Sequence, residues 1–272
     1  MVGLTVPSMF VMMADFKWPS GLDPNTICFT VDVEWAALEV LADLRDLFDQ
    51  HGVRATFFVT HGGVETPGHE RGLHPNFRRD GDTYKRLREM CDETALTDEG
   101  IHANILSRTL SFAPEAKGLR THSLYYDSTL LPLYRRFGLE YDCSYRLPLV
   151  EGLRPFWKQH EIVEIPTYYA DYFDLVTGAT AFDLKALALD RPGLKVFDFH
   201  PNLVYLNASN AAAYHATKSF YHEPGQLLAA RQPGKGTRTL LVDLLAAVSA
   251  SRLPTATAGE INAHWRSVAK WT

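Results

Sequence analysis

The sequence predicts an α/β fold in which parallel strands are covered by helices. Residues 27–31 (ICFTV) are a short apolar run with β-branched and aromatic side chains, which is typical of a buried strand. Residues 36–50 then repeat apolar side chains at helical spacing, and Gly52 follows where a glycine often ends a helix. The next run, residues 53–60, is again strand-like. Strand, helix and strand make a βαβ unit, which favours a sheet or barrel with outer helices.

The later elements continue this pattern. Residues 70–73 are strand-like, and residues 84–91 have weak helical character within a charged segment that we interpret as a surface insertion at about residues 78–100. Further strands are expected at residues 117–120, 162–166, 194–199 and 253–257, and helices at residues 128–137, 234–251 and 258–271. Because active sites in such folds lie at the carboxyl ends of the strands, the polar residues found there are the functional candidates.

Length and composition indicate a chain that buries a large core. It has 272 residues, of which 46% are hydrophobic, and no long linker divides it, so we expect a single catalytic domain spanning residues 1–272. The formal charge of -5 is spread along the chain without a run of Lys or Arg, so nucleic acid is not an expected partner.

The cysteines and the N-terminal residues bear on the compartment. Cys28, Cys91 and Cys143 show no Cys-x-x-Cys spacing, which favours a reducing environment over a zinc or disulfide framework. Residues 1–16 are apolar but lack a basic segment and a small-residue cleavage site, and no later run approaches about 18 uninterrupted apolar residues. We therefore expect a cytoplasmic protein without an integral membrane segment.

Two carboxylates follow the first strand. If the strand continues through them, Asp32 and Glu34 point to the same face at its end, where two carboxylates are able to share a metal ion and a water molecule. The alternative is that both are solvated residues of a strand-to-helix turn, with Glu34 near a helix N-terminus.

Two histidines lie in similar segments and are candidate metal ligands. His74 is in GLHPN (72–76) and His102 is in GIHAN (100–104). A carboxylate and two imidazoles with open positions for water are typical of a catalytic divalent site, with zinc as the expected ion. A lone histidine is more often structural, so the argument depends on the two occurring together.

Three further polar residues follow predicted strands. His200 ends the strand at residues 194–199 and is a candidate catalytic residue, although it could also be a histidine bonded within the rim. Arg120 is able to bind a carboxylate through two hydrogen bonds, and its expected role is to orient Asp32. His122 is expected near the site without direct contact.

Several aromatic residues near these strand ends are candidates for binding a sugar ring. Trp35, Tyr168 and Tyr169 are the ones we assign to this role. The alternative is that they pack in the core or the rim, which is more common for aromatic side chains.

Taken in order, the segments resemble the polysaccharide deacetylase family over roughly residues 26–270. The resemblance implies a distorted (β/α) barrel of about seven strands and metal-dependent deacetylation. The segments that carry it are FTVDVEW (29–35), HGVRATFFVT (51–60), GHERGLHPNF (68–77), GLRTHS (118–123), YDCS (141–144) and VFDFHPN (196–202).

The resemblance also implies residue roles. Asp32 matches the catalytic base, Glu34 the acidic metal ligand, His74 the first metal histidine, and His200 the general acid. The family's usual second metal histidine lies four residues after the first, and Arg78 stands there in this chain.

In a similar, divergent branch associated with bacterial surface-polysaccharide synthesis, a later histidine supplies the missing ligand. We expect His102 to be that ligand, with His122 in reserve.

These inferences predict a metal-dependent hydrolase that removes an acetyl group from an N-acetylated sugar of a surface polysaccharide or its precursor. Arg78 favours one alternative, a non-catalytic saccharide-binding protein with a degenerate metal site. A hydrolase of small non-sugar amides is a second alternative. A structural or interaction protein is a third, but it leaves the polar residues at successive strand ends without a role.

Overall fold

A computed structural model describes residues 22–90 and 97–271 of the chain. In these residues nine strands and ten α-helices alternate with short 3-10 turns. The strands are β1 (Ile27–Asp32), β2 (Ala55–Val59), β3 (Glu70–Leu73), β4 (Gly118–Leu119), β5 (Tyr141–Asp142), β6 (Phe156–Trp157), β7 (Val163–Glu164), β8 (Tyr169–Ala170) and β9 (Lys195–Phe199). The α-helices are α1 (Leu38–Gln50), α2 (Asp82–Glu89), α3 (Asp98–Leu110), α4 (Leu131–Arg136), α5 (Asp171–Thr177), α6 (Pro201–Leu206), α7 (Ala211–Ala216), α8 (Pro224–Ala229), α9 (Thr237–Ser251) and α10 (Ala258–Val268).

The nine strands form one mixed sheet in the order β6-β7-β5-β4-β3-β2-β1-β9-β8. Every pairing is parallel except that of β6 with β7, and the sheet is a half-barrel covered by helices. The predicted fold class is confirmed, whereas the strand count is nine instead of about seven. The difference has a simple cause, because β5, β6 and β8 have two residues each and such short strands leave no periodic pattern in a sequence.

Alternation along the strands separates two layers of side chains. In β1, Phe29 and Val31 belong to the larger apolar cluster, whereas Cys28 belongs to a second cluster on the other face. The same alternation places Phe197 in the first cluster and Val196 in the second. Thr30 and Asp32 therefore share the face of Cys28, which is the inner face of the half-barrel.

The helices cover the outer face. α1 buries an apolar stripe (Val40, Leu41, Leu44, Leu47 and Phe48), as its helical spacing predicts, and it packs beside α6, which in turn contacts α9. Burial of these side chains is the main favourable contribution to folding in this layer. No helix among the described residues is long and apolar enough to cross a membrane.

Some expectations change in detail, and others fall outside the described residues. The strand expected at residues 253–257 is reduced to an isolated bridge between Thr255 and Ile27. α3 begins at Asp98, so His102 lies inside a helix. Cys28 and Cys143 are buried free thiols, whereas residues 1–16 and Cys91 lie outside the residues that the structure describes.

Candidate active site

Polar residues lie at the carboxyl ends of five strands, at one edge of the sheet. Parallel pairing brings these strand ends together, as expected for ligand sites in parallel sheets. The residues at or just after the strand ends are Asp32 (β1), His74 (β3), Arg120 and His122 (β4), Asp171 (β8) and His200 (β9).

A left-handed turn after β1 positions Glu34. The φ angles of Glu34 and Trp35 are 49° and 55°, in a region that residues other than glycine rarely adopt. Two hydrogen bonds hold the turn: the Trp35 amide donates to Thr60 Oγ1 at 3.0 Å, and the Tyr221 hydroxyl donates to the Glu34 carbonyl at 2.9 Å. Of the two arrangements left open by the sequence, the structure shows the turn, and Glu34 approaches Asp32 through it. Such backbone strain, on the order of 1–3 kcal/mol per residue, is often found at functional sites.

Glu34, His74 and His122 form a cluster suited to a metal ion. Glu34 Oε1 lies 3.0 Å from His74 Nε2 and 2.7 Å from His122 Nδ1. One ligand atom from each residue lies within 4.8 Å of the others. A carboxylate and two imidazoles are a common donor set of catalytic zinc sites, which leave a position open for water or substrate. The chemistry of these residues therefore fits a divalent ion.

The protonation of this cluster follows from its hydrogen bonds. Burial alone would raise the pKa of Glu34, but its hydrogen bonds with His122 and His74 outweigh burial and hold the pKa well below the usual value. Burial alone would lower the pKa of His74, but the charges of Asp32 and Glu34 raise it. Glu34 is thus kept as a carboxylate, the form in which it binds a cation.

The structure does not bring His102 to this cluster, contrary to our expectation. His102 lies in α3 between the rings of Phe77 and Tyr84, with ring centroids 5.4 Å and 5.8 Å away. Burial lowers the pKa of its imidazole. The reserve candidate, His122, takes the position instead, because the short β4 ends beside His74 and its next residues turn toward Glu34.

Arg120 is fully buried and links Asp32 to the sheet. Its Nη1 donates to Asp32 Oδ1 at 3.0 Å and to Asp198 Oδ1 at 2.6 Å, and its Nε donates to the Cys143 carbonyl at 3.0 Å. His74 Nδ1 lies 3.7 Å from the same Asp32 oxygen. Asp32 is therefore oriented through Oδ1, which leaves Oδ2 for another partner.

Asp198 shares the buried guanidinium with Asp32. Burial and the nearby Asp32 charge raise the pKa of Asp198 to about 7, although Arg120 opposes the shift. Two carboxylates facing a single guanidinium favour a proton on Asp198. Sequence reasoning did not single out Asp198, although it lies in the same strand as the candidate His200.

His200 is paired with a buried carboxylate. Its Nδ1 lies 2.6 Å from Asp171 Oδ1, and its backbone amide donates to Asp171 Oδ2 at 2.8 Å. Burial alone would lower the pKa of His200, but the Asp171 charge and hydrogen bond outweigh it and raise the pKa well above the usual value. The ring is thus held as an imidazolium, and the nitrogen not bonded to Asp171 remains available as a proton donor.

A cavity of about 320 Å³ opens above these groups. Its lining includes Asp32, Glu34, His122, His200, Tyr214 and Lys218. One atom each of Asp32, Glu34 and His200 also lies within 4.8 Å of the others. The predicted base, metal ligand and acid therefore face one enclosed space.

The aromatic candidates divide into two groups. Trp35 is 38% exposed and lines a neighbouring cavity together with Glu34 and His122. Tyr168 and Tyr169 are buried, and their hydroxyls donate to the Leu187 carbonyl and to Asp174 Oδ2. The two tyrosines belong to the packing alternative, because both are buried and lie in the larger apolar cluster.

Arg78, at the position of the usual second metal histidine, lies outside the cluster. Its guanidinium forms two hydrogen bonds with Asp80, at 2.9 Å and 2.6 Å, and the side chain is half-exposed. It therefore does not enter the space between Glu34, His74 and His122.

Asp171 and Lys218, like Asp198, had no role in the sequence-based prediction. Asp171 follows the two-residue strand β8, and a carboxylate directly after the apolar pair Tyr169–Ala170 is the signal that could have identified it. Lys218 lies in a 3-10 turn far from any predicted strand, and nothing in the sequence around it indicates a site.

Comparisons with known proteins identify a family. Residues 29–218 match the sequence model of a family described as WbmS-like polysaccharide deacetylases. No curated protein sequence gives a significant match.

Solved structures similar to this one include two candidate deacetylases. A candidate polysaccharide deacetylase involved in O-antigen biosynthesis from Bordetella bronchiseptica is 30% identical, with a TM-score of 0.69, over 82% of this chain and 91% of its own. A second candidate polysaccharide deacetylase, from Mycobacterium smegmatis, is 19% identical with a TM-score of 0.57, over 92% of this chain and 93% of its own, and shows the fold alone.

Proposed function

Because the chain belongs to the WbmS-like polysaccharide deacetylase family, we propose that it is a metal-dependent hydrolase that removes the acetyl group of an N-acetylated sugar. The similar Bordetella protein is described as acting in O-antigen biosynthesis, and this supports a surface polysaccharide or its precursor as the substrate. The proposal includes the roles that the site geometry favours: Asp32 as base, His200 as acid, and Glu34, His74 and His122 as metal ligands.

One observation carries the proposal. A cluster of one carboxylate and two imidazoles lies beside an Asp32 held by Arg120 and a His200 held by Asp171, all at one edge of the sheet. Amide hydrolysis needs a base to deprotonate water and an acid to protonate the leaving amine, and these two pairs supply both. A binding protein would have no need for two separately positioned proton-transfer groups.

The residues divide the reaction between them. Asp32 accepts a proton from the attacking water through Oδ2, while Arg120 keeps the carboxylate in place. The water oxygen bonds to the acetyl carbonyl carbon, and the carbon–nitrogen bond then breaks. His200 donates its proton to the departing sugar nitrogen, so that acetate and a free amino sugar are released.

We propose zinc as the ion, because two imidazoles and one carboxylate match its common catalytic donor set. When bound, such an ion supplies Lewis acidity, which lowers the pKa of water and polarises a carbonyl. Glu34, His74 and His122 come from three separate segments, so they hold the ion only when the sheet is folded.

Replacement of the base separates catalysis from metal binding. We expect Asp32→Asn to lower acetate release from N-acetylated sugars by a factor of 10² or more, the range typical of a lost general base, while the bound metal stays near the wild-type level. Acetate release by a coupled assay and metal content by mass spectrometry measure the two effects. An Asp32→Asn variant with wild-type turnover would contradict the assignment of Asp32 as the base.

Linear and cyclic amides, offered to the wild type in the same assay, test the alternative that the chain hydrolyses small non-sugar amides.

A further inference from the structure

Lys218 is a cation on the wall of the active-site cavity. It lies in the 3-10 helix Lys218–Phe220 and lines the cavity above Asp32 and His200. It also lines the neighbouring cavity of about 570 Å³, whose wall includes Glu34, Trp35 and His122. Lys218 therefore lies at the junction of the two cavities, where a ligand that fills both would contact it.

The ammonium of Lys218 is held by aromatic residues and not by a carboxylate. Its Nζ donates to the Tyr214 hydroxyl at 2.7 Å and lies 4.3 Å and 4.7 Å from the ring centroids of Tyr214 and Tyr221. Within the described part of the chain, no carboxylate oxygen lies within the 4.0 Å of a salt bridge with it. Burial lowers its pKa, and Glu34 is the one carboxylate whose charge opposes that shift.

The segment that carries Lys218 is tied to the metal cluster. The Tyr221 hydroxyl donates to the carbonyl of Glu34 at 2.9 Å, and the side chain of Asn202 donates to the Tyr221 carbonyl at 2.9 Å. The Tyr221 ring is also one of the two rings beside the ammonium. Lys218 is therefore held at a defined position relative to Glu34 and does not belong to a free surface loop.

The donors of Lys218 are only partly used. An ammonium has three N–H donors, and among the described residues one of them reaches Tyr214. The remaining donors have no hydrogen-bond partner among the described residues, and Lys218 is exposed where it lines the two cavities. The titratable side chains that line the same cavities, other than tyrosines, are Asp32, Glu34, Asp198, His122, His200, His215, His222 and Glu223.

We propose that Lys218 binds an anionic oxygen group of the substrate, either a carboxylate or a phosphate, beside the sugar whose acetyl group is removed. The inference rests on the proposed function, because it assigns the acetamido group to the cavity of Asp32 and His200. A negatively charged group at the junction receives charge-assisted hydrogen bonds from the ammonium, which are stronger than those between neutral groups. A sugar acid supplies a carboxylate, and a nucleotide or lipid carrier supplies a phosphate. Lys218 thus selects charged over neutral acetamido sugars.

The kinetic test compares charged and neutral substrates. Acetate release is measured for the methyl glycoside of N-acetylglucosamine, the corresponding uronic acid, and N-acetylglucosamine 1-phosphate, in gluco and galacto configurations. The enzymes are wild type, Lys218→Met, Lys218→Arg and Lys117→Met. Lys117 is an exposed lysine just before β4, at the opposite edge of the sheet, and serves as the matched control.

We expect Lys218→Met to lower the ratio of kcat/KM for a charged substrate to that for the neutral sugar by about tenfold or more. Lys218→Arg should retain most of the preference, and Lys117→Met should leave it unchanged. The charged substrate whose ratio falls identifies the source, carboxylate or phosphate. An unchanged ratio in Lys218→Met for both charged substrates overturns the proposal.

A binding measurement tests the anion site independently of turnover. The same three sugars are titrated by calorimetry into metal-loaded wild type and Lys218→Met, with folding checked by circular dichroism. Tighter binding of a charged sugar that is lost in Lys218→Met supports the anion site even if no sugar is deacetylated, in which case only the proposed function fails. Equal binding of charged and neutral sugars by wild type contradicts the anion site, whatever the turnover.

Discussion

At the residue scale, the position of His122 is the main change from the sequence-based expectation. His74 and His122 both contact Glu34, whereas His102 packs between Phe77 and Tyr84 in α3. The segments GLHPN and GIHAN have similar sequences, but the histidine of the first follows a strand and that of the second lies inside a helix. Similar local sequences therefore place the two imidazoles in unrelated environments.

Metal content distinguishes the two histidines. We expect His122→Ala to lose most of the bound ion, because two of three protein ligands hold a divalent ion much more weakly. His102→Gln should keep near-wild-type metal, since His102 is absent from the clusters of candidate ligands. Mass spectrometry of protein purified without chelator gives both values. Loss of metal in His102→Gln, with an unchanged circular dichroism spectrum, would return the ligand role to His102.

Asp171 sets the protonation of His200, and this makes a prediction about pH. Burial lowers the pKa of His200, and Asp171 raises it by more, so the imidazolium persists above the usual pH range. An acid catalyst loses activity as the pH rises through its pKa. In Asp171→Asn the raising charge is gone, the pKa falls, and the basic limb of the pH–rate profile should move to lower pH.

The profile of kcat/KM between about pH 5 and pH 10 measures this shift. Asp174→Asn is a suitable comparison, because Asp174 lies in the same helix and contacts Tyr169 and Thr180 instead of His200. A basic limb that stays at the same pH in Asp171→Asn would mean that His200 is not the group being titrated.

At the scale of elements, the short strand β4 depends on close backbone packing. A Cβ added at Gly118 would lie 2.1 Å from the Tyr141 ring, which is buried and whose hydroxyl donates to Glu70 at 2.7 Å. The ring is fixed at both ends and cannot move aside easily. Because β4 leads directly to Arg120 and His122, its position also controls the site.

Gly118→Ala should therefore lower the free energy of unfolding by about 1–3 kcal/mol, the range of overpacking mutations. Activity should fall as well, because Arg120 and His122 shift with the strand. Gly225→Ala is the control, since no atom lies within 4 Å of a Cβ there. Urea unfolding of both variants measures the effect. Equal free energies of unfolding would show that the Tyr141 ring moves aside with little loss of stability.

At the scale of the whole molecule, the metal ligands connect distant parts of the sheet. Glu34 follows β1, His74 follows β3 and His122 follows β4, so an ion held by all three crosslinks three strand ends. Ligands that bind only the folded chain stabilise it, by about 2.7 kcal/mol when the free ligand is at 100 times its Kd. Metal removal should therefore lower the stability of the entire domain.

We expect EDTA followed by desalting to lower the Tm of the wild type by several degrees, and zinc to restore it. His122→Ala should show a much smaller response to both treatments. Differential scanning calorimetry measures these values at one protein concentration. A wild-type Tm that is the same with and without EDTA would contradict a metal site built from the three strand ends.

The sequence by itself determined the fold class and most of the residues at the site. The βαβ pattern of residues 27–60 is local and periodic, so it could be predicted from the sequence, and the structure contains its three elements as β1, α1 and β2. Asp32, Glu34, His74, Arg120 and His200 were recognisable because each follows an apolar run, and the parallel topology places all of them at one edge.

Only the tertiary structure decided which histidine completes the cluster and which groups support it. Short strands such as β4 and β8 have no periodicity, so the placement of His122 and Asp171 depends on pairing with distant strands. Lys218 reaches the cavity because Tyr221 binds the carbonyl of Glu34, 187 positions away in the chain. Contacts between residues so far apart are set by the packing of the whole sheet, and local sequence patterns carry no information about them.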